Sequence, residues 1–330
     1  MAYSVMQVGV GGFGKGWRKV LADAGRHGVE LAGVVDVNEA ALDEARRSLG
    51  LPDRACHVSV DEALAAIEPD LVVCVTPPQT HEEVVLAALA AGAHVICEKP
   101  LSTGMESARR MVEAAEAAGR TLAVSQNYRY QPEARAIRDV IAAGKYGAPG
   151  ALTVTFARGP RLTGTYHRHM AYPMIVDMCV HHYDLMRALL GREPAWTVAR
   201  SFNPPWSWFD GAASLAQVLG FEGDVVASYS ASLCTLGAET SWNGVWRIEC
   251  SQGVIVWDAQ GVRAGGEAGA LEAVELDETV PAGQEAVLAE VVAALATGRA
   301  PETCGRDNLK TLAVAFKTIE ASETEGLARF

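Results

Sequence analysis

Residues 5 to 25 read VMQVGVGGFGKGWRKVLADAG. A short apolar run, a glycine-rich break and an amphipathic stretch follow one another without a gap. The break spells Gly9-Val10-Gly11-Gly12-Phe13-Gly14, a GxGxxG pattern between an expected strand and an expected helix. The next apolar run, LAGVVD, ends in Asp36, 22 residues after Gly14. Each position has a physical role if the turn cradles a pyrophosphate. Gly9 permits the tight turn, Gly11 the approach of a ligand to backbone, and Gly14 the packing of helix on strand, while Gly12 and Phe13 complete the loop before the helix N-terminus.

The same alternation continues outward. Runs such as DLVVCV, HVIC and TLAVSQ are separated by alanine-rich helical stretches, HEEVVLAALAAG and MESARRMVEAAEAAG. Nearly continuous apolar strands between helices imply a parallel sheet covered on both faces. The expected fold class is therefore α/β, a doubly wound Rossmann sheet over residues 1–125, followed by an α+β domain over residues 126–330 with a large, mostly antiparallel open sheet.

Two further stretches fall at the carboxyl ends of strands, where such sheets gather their ligands. CVTPPQTH offers Thr76, Pro77 and His81 as cofactor neighbours, or else is a plain strand-to-helix turn. VICEKP places Glu98 and Lys99 at the crevice mouth, halted by Pro100. Asp36 suits a ribose 2'-hydroxyl and would repel a 2'-phosphate, which favours NAD over NADP. The competing reading has Asp36 only capping the next helix.

Composition sets the outer bounds. With 330 residues, 49% hydrophobic and 21% charged, the chain has the makeup of a folded two-domain protein. A net charge of -12 argues against nucleic acid and anionic membranes as partners. The seven cysteines are scattered, with no CxxC pair, and suggest buried thiols in a reducing cytoplasm. No secretory leader or membrane span is expected from the N-terminal residues or from any apolar run.

The second informative stretch is VDMCVHHYDLMRALLG, residues 176–191. On a helical wheel Asp177, His181 and Asp184 share one stripe, with Met178, Cys179, Leu185, Met186, Leu189 and Leu190 opposite and His182 off the stripe. Compact ionisable groups suit a wall against which a ligand packs. A solvated polar face is the plainer alternative. His167, His169, His181 and His182 also raise a metal reading, but adjacent histidines diverge on a helix and no HExxH occurs, so no metal site is expected.

Taken together, GxGxxG, EKP at 98–100, QNYRYQPEARAIRDVIAAGKYGAPG at the domain junction and the DxxxHxxD helix resemble the Gfo/Idh/MocA family, the glucose-fructose oxidoreductase and inositol dehydrogenase group. The resemblance spans nearly the whole chain. It implies that Lys99, Asp177 and His181 are catalytic, that Asp184 holds substrate hydroxyls and that Tyr128 contacts substrate. It also implies a sugar or polyol substrate, and assembly of a homodimer or homotetramer through the open sheet. The family also contains non-catalytic NAD-binding regulators and NAD-dependent glycosidases, which stand as alternatives. Two departures are visible: Cys179 stands where the family's DxGxH pattern has glycine, and the approach to the aspartate, glycine-rich in the family, reads MAYPMIVD.

In chemical terms a hydroxyl oxidation needs a base near neutral pH and a cation beside the developing alkoxide. His181 and Lys99 fit those roles, and which of them takes the proton stays open. The remaining stretch of note is NPPWSWFDG, where Pro204-Pro205 breaks strand pairing and Trp206 and Trp208 stand in a loop. Their rings fit either a sugar face or a subunit interface.

Overall fold

The computed structural model describes residues 2–161, 165–267 and 269–330. The chain divides into two compact units, residues 1–127 with 281–309, and residues 128–280 with 310–330.

In the first unit six strands, β1 Tyr3–Val8, β2 Val29–Val35, β3 Cys56–His57, β4 Leu71–Cys74, β5 His94–Cys97 and β6 Leu122–Val124, form one parallel sheet. Its order is β3-β2-β1-β4-β5-β6. The chain reverses direction of travel between β1 and β4, which opens a crevice at the strands' carboxyl ends. Five helices cross between strands or follow them: α1 Gly14–Ala22, α2 Glu39–Leu49, α3 Val60–Ile67, α4 His81–Ala90 and α5 Met105–Ala117. Strands β4 and β5 are buried at nearly every position, as helices on both faces require.

The second unit begins with Tyr128. Helix α6 Pro132–Ala142 leads to strand β7 Pro149–Ala157. After it, Met174–Cys179 forms a π-helical turn that passes directly into α7, Val180–Leu190. Strands β8 Pro194–Phe202, β9 Ser214–Phe221, β10 Val225–Ser232, β11 Val245–Cys250, β12 Gly253–Asp258, β13 Gly261–Gly266 and β14 Glu272–Ala273 then build a sheet. Short turns at residues 222–224 and 251–252 join β9 to β10 and β11 to β12. One face is packed on the core. The other alternates outward as Thr153, Thr155, Val198, Arg200, Ala216, Val218, Ser228 and Ser230, the period-two signature of a sheet open on one side.

The chain passes from the first unit to the second at 127/128 and comes back to the first for residues 281–309. Helix α8, Gly283–Thr297, returns to the first unit, where Gln284 reaches Glu98 and Glu285 reaches His27. Thr303 accepts the Val124 amide, so this return also pairs with the edge of the parallel sheet. Such long-range docking leaves no local signal. Helix α9, Gly305–Thr324, starts among the first unit's residues and runs on in the second, and β15 Leu327–Arg329 pairs with β8. The nine-stranded sheet is β14-β13-β12-β11-β7-β10-β9-β8-β15, antiparallel except for β7 with β10.

Candidate active site

In the first unit the glycine turn is held from inside. Gln7, buried in β1, donates from Nε2 to the carbonyls of Gly9 and Gly14, both at 2.9 Å. A Cβ at Gly9, where φ is +87°, would lie 2.6 Å from the Val75 carbonyl oxygen, and one at Gly14 would lie 2.3 Å from that of Gly9. Only glycine fits at either place. At Gly11 a Cβ would make only ordinary van der Waals contact, with Ala41 Cβ at 3.5 Å and Asp36 Oδ2 at 3.7 Å, so packing within the chain does not itself require glycine there. Phe13 is exposed at the helix entry.

Asp36 belongs to this turn. Its Oδ2 accepts from the amides of Val10 at 2.9 Å and Gly11 at 3.1 Å, and its Oδ1 accepts from Asn38. Asn38, not Asp36, caps α2, through the amides of Ala40 and Ala41. The carboxylate therefore stands at the end of β2 against the glycine loop. Three backbone donors hold it there. These residues fit a dinucleotide: an open glycine cradle, a helix N-terminus and an acid at the second strand's end.

Two expected cofactor neighbours, His81 and Glu98, turn out differently. The His81 ring is fully buried and faces the carbonyls of Thr76, Pro100 and Leu101, so it clamps the loops after β4 and β5 and has no surface to offer a cofactor. Glu98 is likewise buried. It accepts from Trp17 Nε1 at 2.6 Å, from Gln284 and from the Lys99 amide, so it anchors α1 and α8 to the end of β5 instead of meeting a ligand. Thr76 is half-buried, and its hydroxyl lies 3.5 Å from Cys74 Sγ. Pro77 is exposed beside it. Lys99, fixed at its backbone by Glu98, is half-buried.

In the second unit the π turn carries Asp177 and the first turn of α7 carries His181. The Tyr128 ring stacks on that of His181, centroids 4.1 Å apart and planes 15° apart. Burial first, and then the charge of Asp177, raise the Tyr128 phenol far above its ordinary range, so it is a proton-bearing donor at neutral pH. Across the carboxylate, His167 Nε2 lies 3.7 Å from Asp177 Oδ2 and its Nδ1 lies 3.2 Å from the Thr165 hydroxyl. His167 had entered the sequence reading only as part of a rejected metal set. The structure places it beside Asp177.

Asp184 does not share this setting. Its carboxylate is 1% exposed and is gripped by Arg129 Nε and NH2 at 2.5 and 2.7 Å and by the Thr311 hydroxyl at 2.9 Å. Thr311 in turn accepts from Arg187, which pairs with Glu193. Both lone-pair faces are spent on α9 and on the 127–130 turn, so Asp184 is an internal brace and not a holder of substrate hydroxyls. The physical reason is that α7 is buried almost all round, ten of its eleven residues, and a wheel drawn for a half-exposed helix misassigns its polar side.

His182, off the stripe, is enclosed by Phe156, Tyr229 and Trp246 and contacts the Tyr229 hydroxyl at 2.5 Å. Burial pushes its pKa down to about 4, which keeps it neutral. Cys179, the departure from DxGxH, fills the end of the π turn against Tyr183 and Tyr229, and burial raises its thiol to about 12. It is packing, not a nucleophile. In the aromatic loop Trp206 is 56% exposed, with Nε1 on the Cys234 carbonyl. Trp208 donates to the Pro160 carbonyl, and the Arg161 guanidinium covers one of its faces at 3.8 Å. Only the other face is left for a sugar or a partner.

Comparison with known proteins adds to this geometry. The profile described as oxidoreductase family, NAD-binding Rossmann fold matches residues 4–126, and that of the GFO/IDH/MocA C-terminal domain matches residues 134–256. A 1,5-anhydro-D-fructose reductase of Ensifer adhaerens is 31% identical over 273 residues, 81% of this chain and 81% of that protein. An inositol 2-dehydrogenase of Paracoccus denitrificans is 39% identical over 165 residues, but this is 49% of the chain and 47% of that relative. The crystal structure of an oxidoreductase from Agrobacterium radiobacter in complex with NAD+, L-tartaric acid and magnesium matches with a TM-score of 0.90 at 23% identity, covering 100% of this chain and 98% of that one. No helix among the described residues is long and apolar enough to cross a membrane. With the two profiles matched in order along the chain and an 81% overlap with a relative 31% identical, the chain belongs to the Gfo/Idh/MocA family of NAD-binding oxidoreductases.

Proposed function

We propose that the protein is an NAD(H)-dependent dehydrogenase that oxidises a hydroxyl group of a sugar, sugar derivative or inositol-like polyol. The observation that carries the reading is the cluster of Tyr128, His167, Asp177 and His181. It sets an imidazole stacked on a proton-bearing phenol, and a carboxylate paired with a second imidazole, on and beside a helix that the family resemblance marks as catalytic.

When bound, NAD+ supplies a nicotinamide ring that accepts a hydride. The chain's own part is to move the proton and hold the oxygen. His181 takes the hydroxyl proton on an imidazole nitrogen, and the Asp177 carboxylate offsets the imidazolium that results. The Lys99 ammonium steadies the developing alkoxide. Tyr128 keeps its phenolic proton and fixes the imidazole plane by stacking. Gly9, Gly11, Gly14 and Asp36 hold the dinucleotide, and the acid at Asp36 selects NAD against a 2'-phosphate. Support for a polyol comes from the partial match to inositol 2-dehydrogenases and the longer match to an anhydrofructose reductase.

The open face of the second sheet exposes Val198, Val218 and Phe202 in the same plane as Thr153 and Arg200, and we read it as the surface for a second copy of the chain. Light scattering on the purified protein tests that part.

The function is tested by supplying a panel of inositols, aldoses and sugar acids with NAD and with NADP and following reduced nicotinamide. Turnover with at least one polyol is expected, lowered ~100- to 10,000-fold in His181→Ala and in Lys99→Ala. Full activity in either variant, or free sugar released from glycosides without net reduction, would overturn the assignment.

A further inference from the structure

Three side chains that this chemistry does not use converge inside the first unit. Cys74 ends β4 and Cys97 ends β5, and the two are partners in the parallel register, so both thiols project to the same face of the sheet. His81 opens α4. One donor atom from each of Cys74, His81 and Cys97 lies within 4.8 Å of the others, and all three residues are fully buried.

The imidazole provides an independent observation. Nδ1 faces the carbonyl oxygens of Pro100 and Leu101 at 3.1 and 3.2 Å, and Nε2 faces that of Thr76 at 2.8 Å. A neutral imidazole carries a single N–H, so one of its nitrogens turns a lone pair toward a carbonyl oxygen. With the proton on Nδ1, bound by Pro100 and Leu101, that lone pair is on Nε2. Two electron-rich atoms, Nε2 and the Thr76 oxygen, then stand 2.8 Å apart, on an imidazole that the two thiols approach.

We infer that Cys74, Cys97 and Nε2 of His81 form a binding site for one thiophilic divalent cation of the zinc and cadmium type, with the Thr76 carbonyl oxygen as the nearest fourth donor. Sulfur and imidazole donors select this class over magnesium or calcium, which require oxygen ligands. Burial selects the charge. Two thiolates and a divalent ion sum to zero, whereas a monovalent ion would leave a net charge in an apolar interior. The Nδ1–H bond to backbone carbonyls is the outer contact that orients a metal-bound imidazole. Zinc–sulfur and zinc–nitrogen bonds of about 2.3 and 2.0 Å set ligand atoms roughly 3.3–3.8 Å apart, so the donors need close by only about an ångström. Binding places two thiolates on one cation and releases whatever protons the thiols still carry, with no change of oxidation state. Because the site has no solvent opening, the ion enters through local unfolding of the strand ends and binds slowly.

The test uses the full-length, reduced protein without NAD or substrate, so its outcome is independent of the dehydrogenase reading. Cadmium ion is added in weak buffer while the thiolate-to-cadmium charge-transfer absorbance and the released protons are followed to completion. One cadmium per chain, proton release that stops at the same equivalence point and displacement of the band by zinc are expected. Cys74→Ser and Cys97→Ser should each weaken binding by roughly tenfold to a hundredfold or more. Cys179→Ser and Cys234→Ser, at buried thiols elsewhere, should leave it unchanged. A wild-type protein that acquires no stoichiometric band, or a Cys74→Ser/Cys97→Ser double variant that retains it, refutes the site. Because the wild-type titration decides by itself, misfolding of a variant does not rescue the idea.

Discussion

Acidification should weaken the second unit through His182. In the folded chain this imidazole is fully buried among Phe156, Tyr229 and Trp246, and its pKa falls from 6.5 to about 4 because burial penalises the charged ring. The unfolded chain takes up the proton near pH 6.5. Between those values the unfolded state binds more protons, so unfolding becomes easier as pH drops. The contribution is intact above pH 6.5 and exhausted once pH has fallen through about 4. A separation of roughly 2.5 pKa units at about 1.36 kcal/mol each amounts to about 3 kcal/mol, of which about 2.5 is lost between pH 7 and pH 4.5. That is a large part of a usual folding free energy of about 5–15 kcal/mol. Urea unfolding followed by tryptophan fluorescence at the two pH values measures it, with His182→Phe as the comparison. The variant begins less stable, since the Tyr229 hydroxyl loses its partner, but its pH slope should be shallower by about 2.5 kcal/mol over the interval. Equal slopes in the two proteins would refute the reasoning, because every other titrating group is common to both.

Other consequences follow from the same contacts. Asp184→Ala leaves the buried Arg129 guanidinium without its carboxylate and should cost about 3–5 kcal/mol in urea unfolding; a loss below about 1 would show that water reaches the site. Gly14→Ala drives a Cβ to 2.3 Å from the Gly9 carbonyl oxygen, so NADH binding, read by fluorescence titration, should weaken by at least roughly tenfold while the second unit keeps its fold. Asp36→Ser removes the acid at the end of β2, and the ratio of kcat/KM for NAD over NADP should fall by about tenfold or more; an unchanged ratio would return Asp36 to a purely structural role. His167→Asn separates the second imidazole from Asp177, and the pH–rate profile should shift while the thermal midpoint stays put; a coincident profile would leave His167 outside the reaction.

The glycine turn, the parallel sheet and the hairpins of the second unit were legible because each rests on local chemistry. Gly9 and Gly14 are forced by contacts within a few residues or with the neighbouring strand, and β4 and β5 announce themselves as unbroken apolar runs. The grip of Gln7 on the carbonyls of Gly9 and Gly14 was not legible, because it exists only once the turn has folded back over β1. The helix with Asp177 and His181 was found from its spacing. Its surroundings were not, because a wheel shows which side chains share a direction but not what lies in that direction.

Sequence by itself thus determined the fold class, the dinucleotide cradle and the segment bearing the candidate catalytic groups, since period, glycine placement and terminal acids act over a turn or a strand. Tertiary structure decided which polar groups are spent. Asp184 is consumed by Arg129 and Thr311, Glu98 by Trp17 and Gln284, and His81 by three carbonyls. It also brought Cys74, His81 and Cys97 together at spacings that match no local metal motif, and sent α8 back to the first unit. Whether an ionisable side chain meets solvent, a ligand or another side chain depends on desolvation and on partners distant in sequence, and those terms exist only once the chain has folded.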